Sequence, residues 1–319
     1  MPSRDALERH QVWIYLAAVA VGLVVGVAVT SFGDLGEALV WPVLAALLYA
    51  TFTQTPLASI PAAFKDVRFL MTALLGNFVF VPLLVWAIVG FMPDDQPLRL
   101  GLFLVLLVPC TDWFITFSQL GGGDVARATA LTPVTLLLQL LLLPLYLVLL
   151  TGIDVSSIFA PADVWPGLLI VLVPLVLAAA TEQLAKRFPI RSGIDRLGWL
   201  PVPLLAVVIF LVSSSHADIL GDVIGLLPAA GAALVFLAVS LVLAKALALA
   251  ARLPVQHGRT LAFSLGTRNS FLVLPFALAL PAGWEVSAIV VVMQSIIELL
   301  GMLFFLWFVP RVLFRERSG

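Results

Sequence analysis

Four ionisable residues lie inside long apolar stretches of this chain: Asp112, Lys245, Arg268 and Glu298. Each costs at least about 2.5 kcal/mol at the centre of a bilayer when unpaired, so each needs a partner or a function. Two of them stand at interruptions of matching character. Pro109-Cys110-Thr111-Asp112-Trp113-Phe114 breaks one apolar run, and Gly266-Thr267-Arg268-Asn269-Ser270-Phe271 breaks another. Pro109 removes a backbone donor and disfavours helix just before it, and Gly266 loosens the second run. If the two breaks cross, Asp112 and Arg268 can pair, as a gate, as a proton-responsive element, or as a rivet that holds the crossing together. Glu298 follows Gln294 by one helical turn. A carboxyl at that depth either holds and releases a proton or is hydrogen-bonded to a neighbouring helix. Cys110 is a small packing residue by default; as a thiolate it is a soft ligand suited to soft metals or metalloids. Thr111, Asn269, Asn77 and Thr132 can complete a polar lining or bond between helices. Lys245 lies towards the end of its run, where its ammonium can snorkel to the headgroups.

The elements that must position these residues are membrane helices. Of 319 residues, 62% are hydrophobic and 11% charged, and the mean hydropathy is +1.15. A water-soluble domain carries about a quarter charged residues, so the excess apolar surface here must face lipid. A span needs about 20 apolar residues. Ten stretches qualify, at 11–32, 37–56, 67–92, 98–120, 125–151, 163–185, 198–215, 222–251, 259–281 and 285–313. The positive-inside rule then orients them. With both termini cytoplasmic, the inner segments carry Arg4, Arg9, Lys65, Arg68, Arg127, Lys186, Arg187, Arg191, Arg196, Arg252, Arg259, Arg311, Arg315 and Arg317, and the outer loops carry only Arg99. The expected fold class is therefore all-α: a polytopic protein in the cell membrane with ten transmembrane helices. The N-terminal run lacks a small-residue cleavage site and reads as a retained first helix.

Five spans per half is an odd number, so two such halves, 1–151 and 152–319, must be inverted relative to each other. The breaks fall at matching places in the two halves, as do Gln139 in span five and Glu298 in span ten. Freed backbone at membrane depth survives inside protein or beside a wet cavity, and half-helix ends bring partial charges there. Two broken helices that cross would build a binding site at the bilayer centre.

Other classes find little support. There is no basic stripe with an aromatic reading face for nucleic acid. A single cysteine permits neither an intrachain disulfide nor a cysteine-ligated metal cluster. His10, His216 and His257 lie far apart near span ends and read as solvated loop residues. No paired-carboxylate metal motif, His-Glu-x-x-His or Gly-x-Ser-x-Gly occurs, so neither an enzyme nor a bound cofactor or metal is expected. A non-transporting sensor would want a cytoplasmic signalling domain, and the loops are short.

On these residues the chain resembles the bile acid:sodium symporter superfamily. Pro109 to Tyr146, with Gly123-Asp124 and Thr132, looks like that family's spans four to five, and Ser264-Leu265-Gly266-Thr267-Arg268-Asn269-Ser270 is similar to its second crossover. Cys110 after the first break and Glu298 in the last span resemble the arsenical-resistance permeases within it. The resemblance implies a panel domain from spans one, two, six and seven, and a core domain from spans three to five and eight to ten, one moving against the other. It also implies an inner-membrane location in a prokaryote. Sodium-coupled members place ligands where this chain has Ile115, Ser264, Ala128 and Arg268, although Thr132 is kept. A fixed guanidinium repels sodium, so the family's sodium sites are not expected to operate here. The resemblance points to proton-coupled efflux of arsenite or a related metalloid or organoarsenical: Cys110 contacts the solute, Glu298 carries the proton, and Asp112 and Arg268 line the crossover. The alternative is a carrier of small organic anions, with Arg268 on a carboxylate. Partners are then a small solute, protons and the bilayer.

Overall fold

The computed structural model describes residues 4–29, 32–55, 61, 64–111, 113–152, 161–185, 187–188, 197–217 and 223–316. These residues form an all-helical membrane protein. Its helices are α1 (Arg4–Ala28), α2 (Phe32–Thr53), α3 (Val67–Leu75), α4 (Val81–Gly90), α5 (Gln96–Leu106), α6 (Trp113–Leu120), α7 (Val125–Leu150), α8 (Pro161–Ala185), α9 (Pro201–Ser215), α10 (Val223–Ala250), α11 (Val255–Gly266), α12 (Ser270–Leu278) and α13 (Glu285–Phe308). A π turn, Gly76–Phe80, joins α3 to α4, and another, Val309–Leu313, ends α13. Seven of the resulting helical stretches are long and apolar enough to cross a bilayer, and α5 and α9 are shorter apolar helices. The stretches expected as spans four and nine are each a pair of short helices, α5 with α6 and α11 with α12, interrupted at the polar breaks.

The chain divides into two compact units. The first is drawn from Met1–Gln54, Ser156–Leu227 and Phe271–Ile296. In it, α9 packs against both α1 and α2, and α8 packs against α2. Small residues let α1 lie close to α9: a Cβ on Gly22 would come within 2.7 Å of the Phe210 carbonyl oxygen. Tyr49 and Thr181 share a hydroxyl hydrogen bond of 2.9 Å between α2 and α8. His216 closes α9, nine-tenths buried, with its Nδ1 3.2 Å from the Val212 oxygen. It is not the solvated loop residue that its position suggested.

The second unit is drawn from Thr55–Val155, Pro228–Ser270 and Ile297–Gly319. Three of its helices begin on aspartate caps, which satisfy amide groups that the first turn leaves open. Asp66 accepts from the Phe69 amide, Asp95 from that of Leu98, and Asp124 from that of Arg127. The π turn ahead of α4 has a local cause. Pro82 has no N–H to offer the Phe78 carbonyl one turn back, and that carbonyl instead accepts from the Tyr146 hydroxyl of α7. The same turn carries Asn77, which is fully buried. Lys245, expected to snorkel, is held by protein: its Nζ donates to the Leu313 carbonyl at 2.6 Å and lies 4.6 Å from the Phe314 ring centre. It caps the carbonyl end of α13, where a cation is favoured.

Candidate functional site

The two breaks meet inside the second unit. After α5 ends at Leu106 and α11 at Gly266, the chain runs extended on both sides, and Pro109 and Arg268 form an antiparallel bridge. The Cys110 amide donates to the Thr267 carbonyl at 3.2 Å, and the Asn269 amide donates to the Val108 carbonyl at 2.8 Å. Each break thus satisfies backbone groups that the other sets free, which is what irregular backbone at membrane depth requires. Gly266 lets α13 lie against the second break: a Cβ there would come 2.5 Å from the Phe305 ring.

Arg268 occupies the centre of this crossing at 1% exposure. Its guanidinium Nη2 donates to Asn77 Oδ1 at 2.9 Å and to the carbonyls of Ser264 and Leu265 at 3.0 and 2.9 Å. Nη1 donates to the Leu106 carbonyl at 3.3 Å, and the guanidinium carbon lies 5.3 Å from the Phe236 ring centre. The three carbonyls belong to the C-terminal ends of α5 and α11. A helix end presents unsatisfied carbonyls and a partial negative charge, so a single guanidinium neutralises two such ends at once. Asn77 is oriented for this by donating its own amide to Ala73 O at 3.1 Å and Ser264 Oγ at 3.0 Å.

The expected site residues separate into three groups. Cys110, Thr111, Asn77, Arg268, Asn269 and Glu298 converge on the crossing. Asn269 Nδ2 donates to Thr111 Oγ1 at 3.0 Å, and Glu298 Oε2 accepts from the Arg268 main-chain amide at 2.9 Å. Glu298 is fully buried and Cys110 nearly so, at 3% exposure. Thr132 is buried but turns its hydroxyl back to the Ala128 carbonyl of its own helix, at 3.0 Å. Asp112 lies outside the described residues. Gln139 is 1% exposed, and neither atom of its amide has a hydrogen-bond partner among the described residues.

A second polar cluster, which sequence reasoning missed, ties three helix starts together. Arg127 Nε donates to Asp66 Oδ2 at 2.7 Å, and its Nη1 reaches Asp124 Oδ2. His257, in the first turn of α11, places Nδ1 3.6 Å from that same Asp66 oxygen and Nε2 3.6 Å from that same Asp124 oxygen. Burial favours the protonated form of Asp124, but hydrogen bonds from the Arg127 amide and guanidinium outweigh it and hold the carboxyl below its usual range. Burial first, then the Arg127 charge, pushes His257 below its usual value; Asp66 and Asp124 act the other way and lose. The histidine is therefore a neutral member of a packed network, with 12% of its side chain exposed, and not a solvated loop residue. The cap pattern of Asp66 and Asp124 was readable locally, but their convergence with residue 257 was not.

Residues 12–222 match the sequence profile described as the Sodium Bile acid symporter family. The chain belongs to the sodium bile acid symporter family. It is accordingly a multi-pass membrane transporter of the bile acid symporter type. The matched stretch runs from within α1 through α9, includes the first break, and ends before the second break, Arg268 and Glu298. No curated protein matches the chain.

Proposed function

We propose that this symporter-family member is a secondary active transporter that exports arsenite or a related metalloid or organoarsenical in exchange for protons, without using sodium. The observation that carries the reading is the gathering, at one crossing of broken helices, of a buried thiol, a buried carboxyl and a tethered cation. Cys110 supplies a soft contact for the solute. Glu298 takes up and releases the proton. Arg268 supports the absence of sodium coupling, because its guanidinium already sits among carbonyls and an amide oxygen of the kind that strips and holds a small cation. In the same proposal both termini face the cytoplasm, the halves 1–151 and 152–319 are inverted repeats, and Asp112 lines the crossing.

The alternative, a carrier of small organic anions, has the family's own name in its favour. Two features of Arg268 weigh against it as the anion site: both terminal nitrogens of the guanidinium are engaged by protein oxygens, and only Nε is without a partner among the described residues. Proteoliposomes decide between the two. Arsenite efflux driven by a pH gradient, unchanged when sodium is replaced by choline and lost in Cys110→Ser, supports the proposal. Carboxylate transport without arsenite transport supports the alternative, and dependence on sodium overturns the reading of Arg268.

A further inference from the structure

Read as inverted repeats, the two halves pair equivalent positions at the crossing, and that pairing exposes an unused group. The crossing's two main-chain hydrogen bonds, from Cys110 to Thr267 and from Asn269 to Val108, exchange with each other under a shift of 159 positions. The same shift relates the bridge partners Pro109 and Arg268. It also relates Gln139 of α7 to Glu298 of α13. In the second half Glu298 caps the break, its Oε2 accepting the main-chain N–H of Arg268. The counterpart of that N–H in the first half belongs to Pro109, and proline has none. Gln139 is therefore the counterpart of a capping carboxyl whose donor has been deleted. This accounts for an otherwise costly feature: a side chain with one acceptor and two donors, 1% exposed, with no partner for either amide atom among the described residues. Buried amides are almost always satisfied, and an exception calls for an ordered water, a ligand or a function.

We infer that Gln139 is a solute-binding residue of the first half of the crossing, and that it recognises a small, neutral, hydroxyl-bearing solute such as undissociated arsenous acid. The amide is uncharged and offers both donors and an acceptor, so it matches hydroxyl groups, which are themselves both; a carboxylate would use only the donors. Pro109 has a double role in this arrangement. It breaks the helix, and by lacking an N–H it leaves Gln139 available, with Cys110 as the adjoining residue of the break. The choice of solute rests on the metalloid reading above; the assignment of Gln139 to the transport pathway does not.

Two measurements separate those parts. In the first, Gln139→Cys and Leu136→Cys are made in a Cys110→Ser background and treated with a small neutral methanethiosulfonate in proteoliposomes. Leu136 lies on the same helix, fully buried, and serves as the reference for packed interior. Gln139→Cys is expected to react at least tenfold faster; equal, slow labelling of the two overturns the assignment. In the second, Gln139→Leu and the wild type are compared in arsenous acid transport. The expected result is a KM raised at least tenfold with the protein still folded, since removing an unsatisfied amide spares the fold. A wild-type KM in Gln139→Leu overturns the proposal. If the wild type moves no arsenous acid, the metalloid reading fails and the labelling ratio alone decides whether Gln139 faces the solute path.

Discussion

Replacing Arg268 probes whether a tethered cation holds the crossing. The guanidinium makes four hydrogen bonds to buried oxygens: Asn77 Oδ1 and the carbonyls of Leu106, Ser264 and Leu265. In Arg268→Gln the charge is gone, and at most two of those oxygens keep a donor. Removing one partner of a buried charged arrangement costs about 3–5 kcal/mol. At roughly 2–4 °C per kcal/mol for a chain of this size class, the melting temperature in detergent should fall by about 10 °C. The shape of the damage is more telling than its size. The vacated position leaves oxygens converging on a point that a cation occupied, so an alkali ion should partly restore it. An ion present at ten times its dissociation constant would return about 1.4 kcal/mol. The assay is thermal unfolding of wild type and variant in sodium, potassium and choline chloride at equal ionic strength. Sodium or potassium should raise the melting temperature of Arg268→Gln by a few degrees over choline, and leave that of the wild type unchanged. A variant as stable as the wild type, or one indifferent to the cation, would refute the role given to the guanidinium.

Glu298→Gln keeps an oxygen able to accept the Arg268 amide but cannot change protonation state. The response of solute flux to an imposed pH gradient should disappear in protein that still folds; a retained response would remove Glu298 from proton coupling. Acidification should act on the cluster at the start of α11 in two windows. His257 titrates lower in the fold than its ordinary value of 6.5, so the unfolded chain takes up the proton first and stability falls as pH drops below about 6.5. Asp124, also held low, contributes stability that is present above its unfolded value near 4 and is lost only as pH falls through its lower folded value. Melting temperatures of wild type and His257→Gln between pH 7.5 and 5.5 check the first window: the slope belongs to the wild type alone, and equal slopes would rule out His257 as its source. Gly266→Ala sets a methyl group 2.5 Å from the Phe305 ring and should destabilise by about 1–3 kcal/mol. Pairing it with Phe305→Leu should recover part of that loss in the same melting assay.

The sequence by itself determined what each stretch must be. Long apolar runs had to be membrane helices because no water is available there to satisfy a bare backbone. Pro109 and Gly266, each beside a run of polar residues, marked where two of them could break; Pro133 and Pro144 sit inside α7 without breaking it, so proline alone does not decide this. The buried polar residues, Cys110, Arg268, Asn269 and Glu298, were identifiable as exceptions to an apolar pattern. The partners of those residues were decided only in three dimensions. Opposite charge pointed to Asp112, which lies outside the described residues, as the mate of Arg268; among the described residues the guanidinium is held by three carbonyls and Asn77. Every residue carries a carbonyl, so which ones are left open at a helix end leaves no mark in composition. His257 looked like a loop residue because it stands near a span end; Asp66 and Asp124 reach it from other helices. The sequence already set Gln139 at the place of Glu298 in the other half, but that its amide has no partner among the described residues became visible only in three dimensions. Local chemistry is written residue by residue, whereas satisfaction of a buried polar group is a property of everything packed around it.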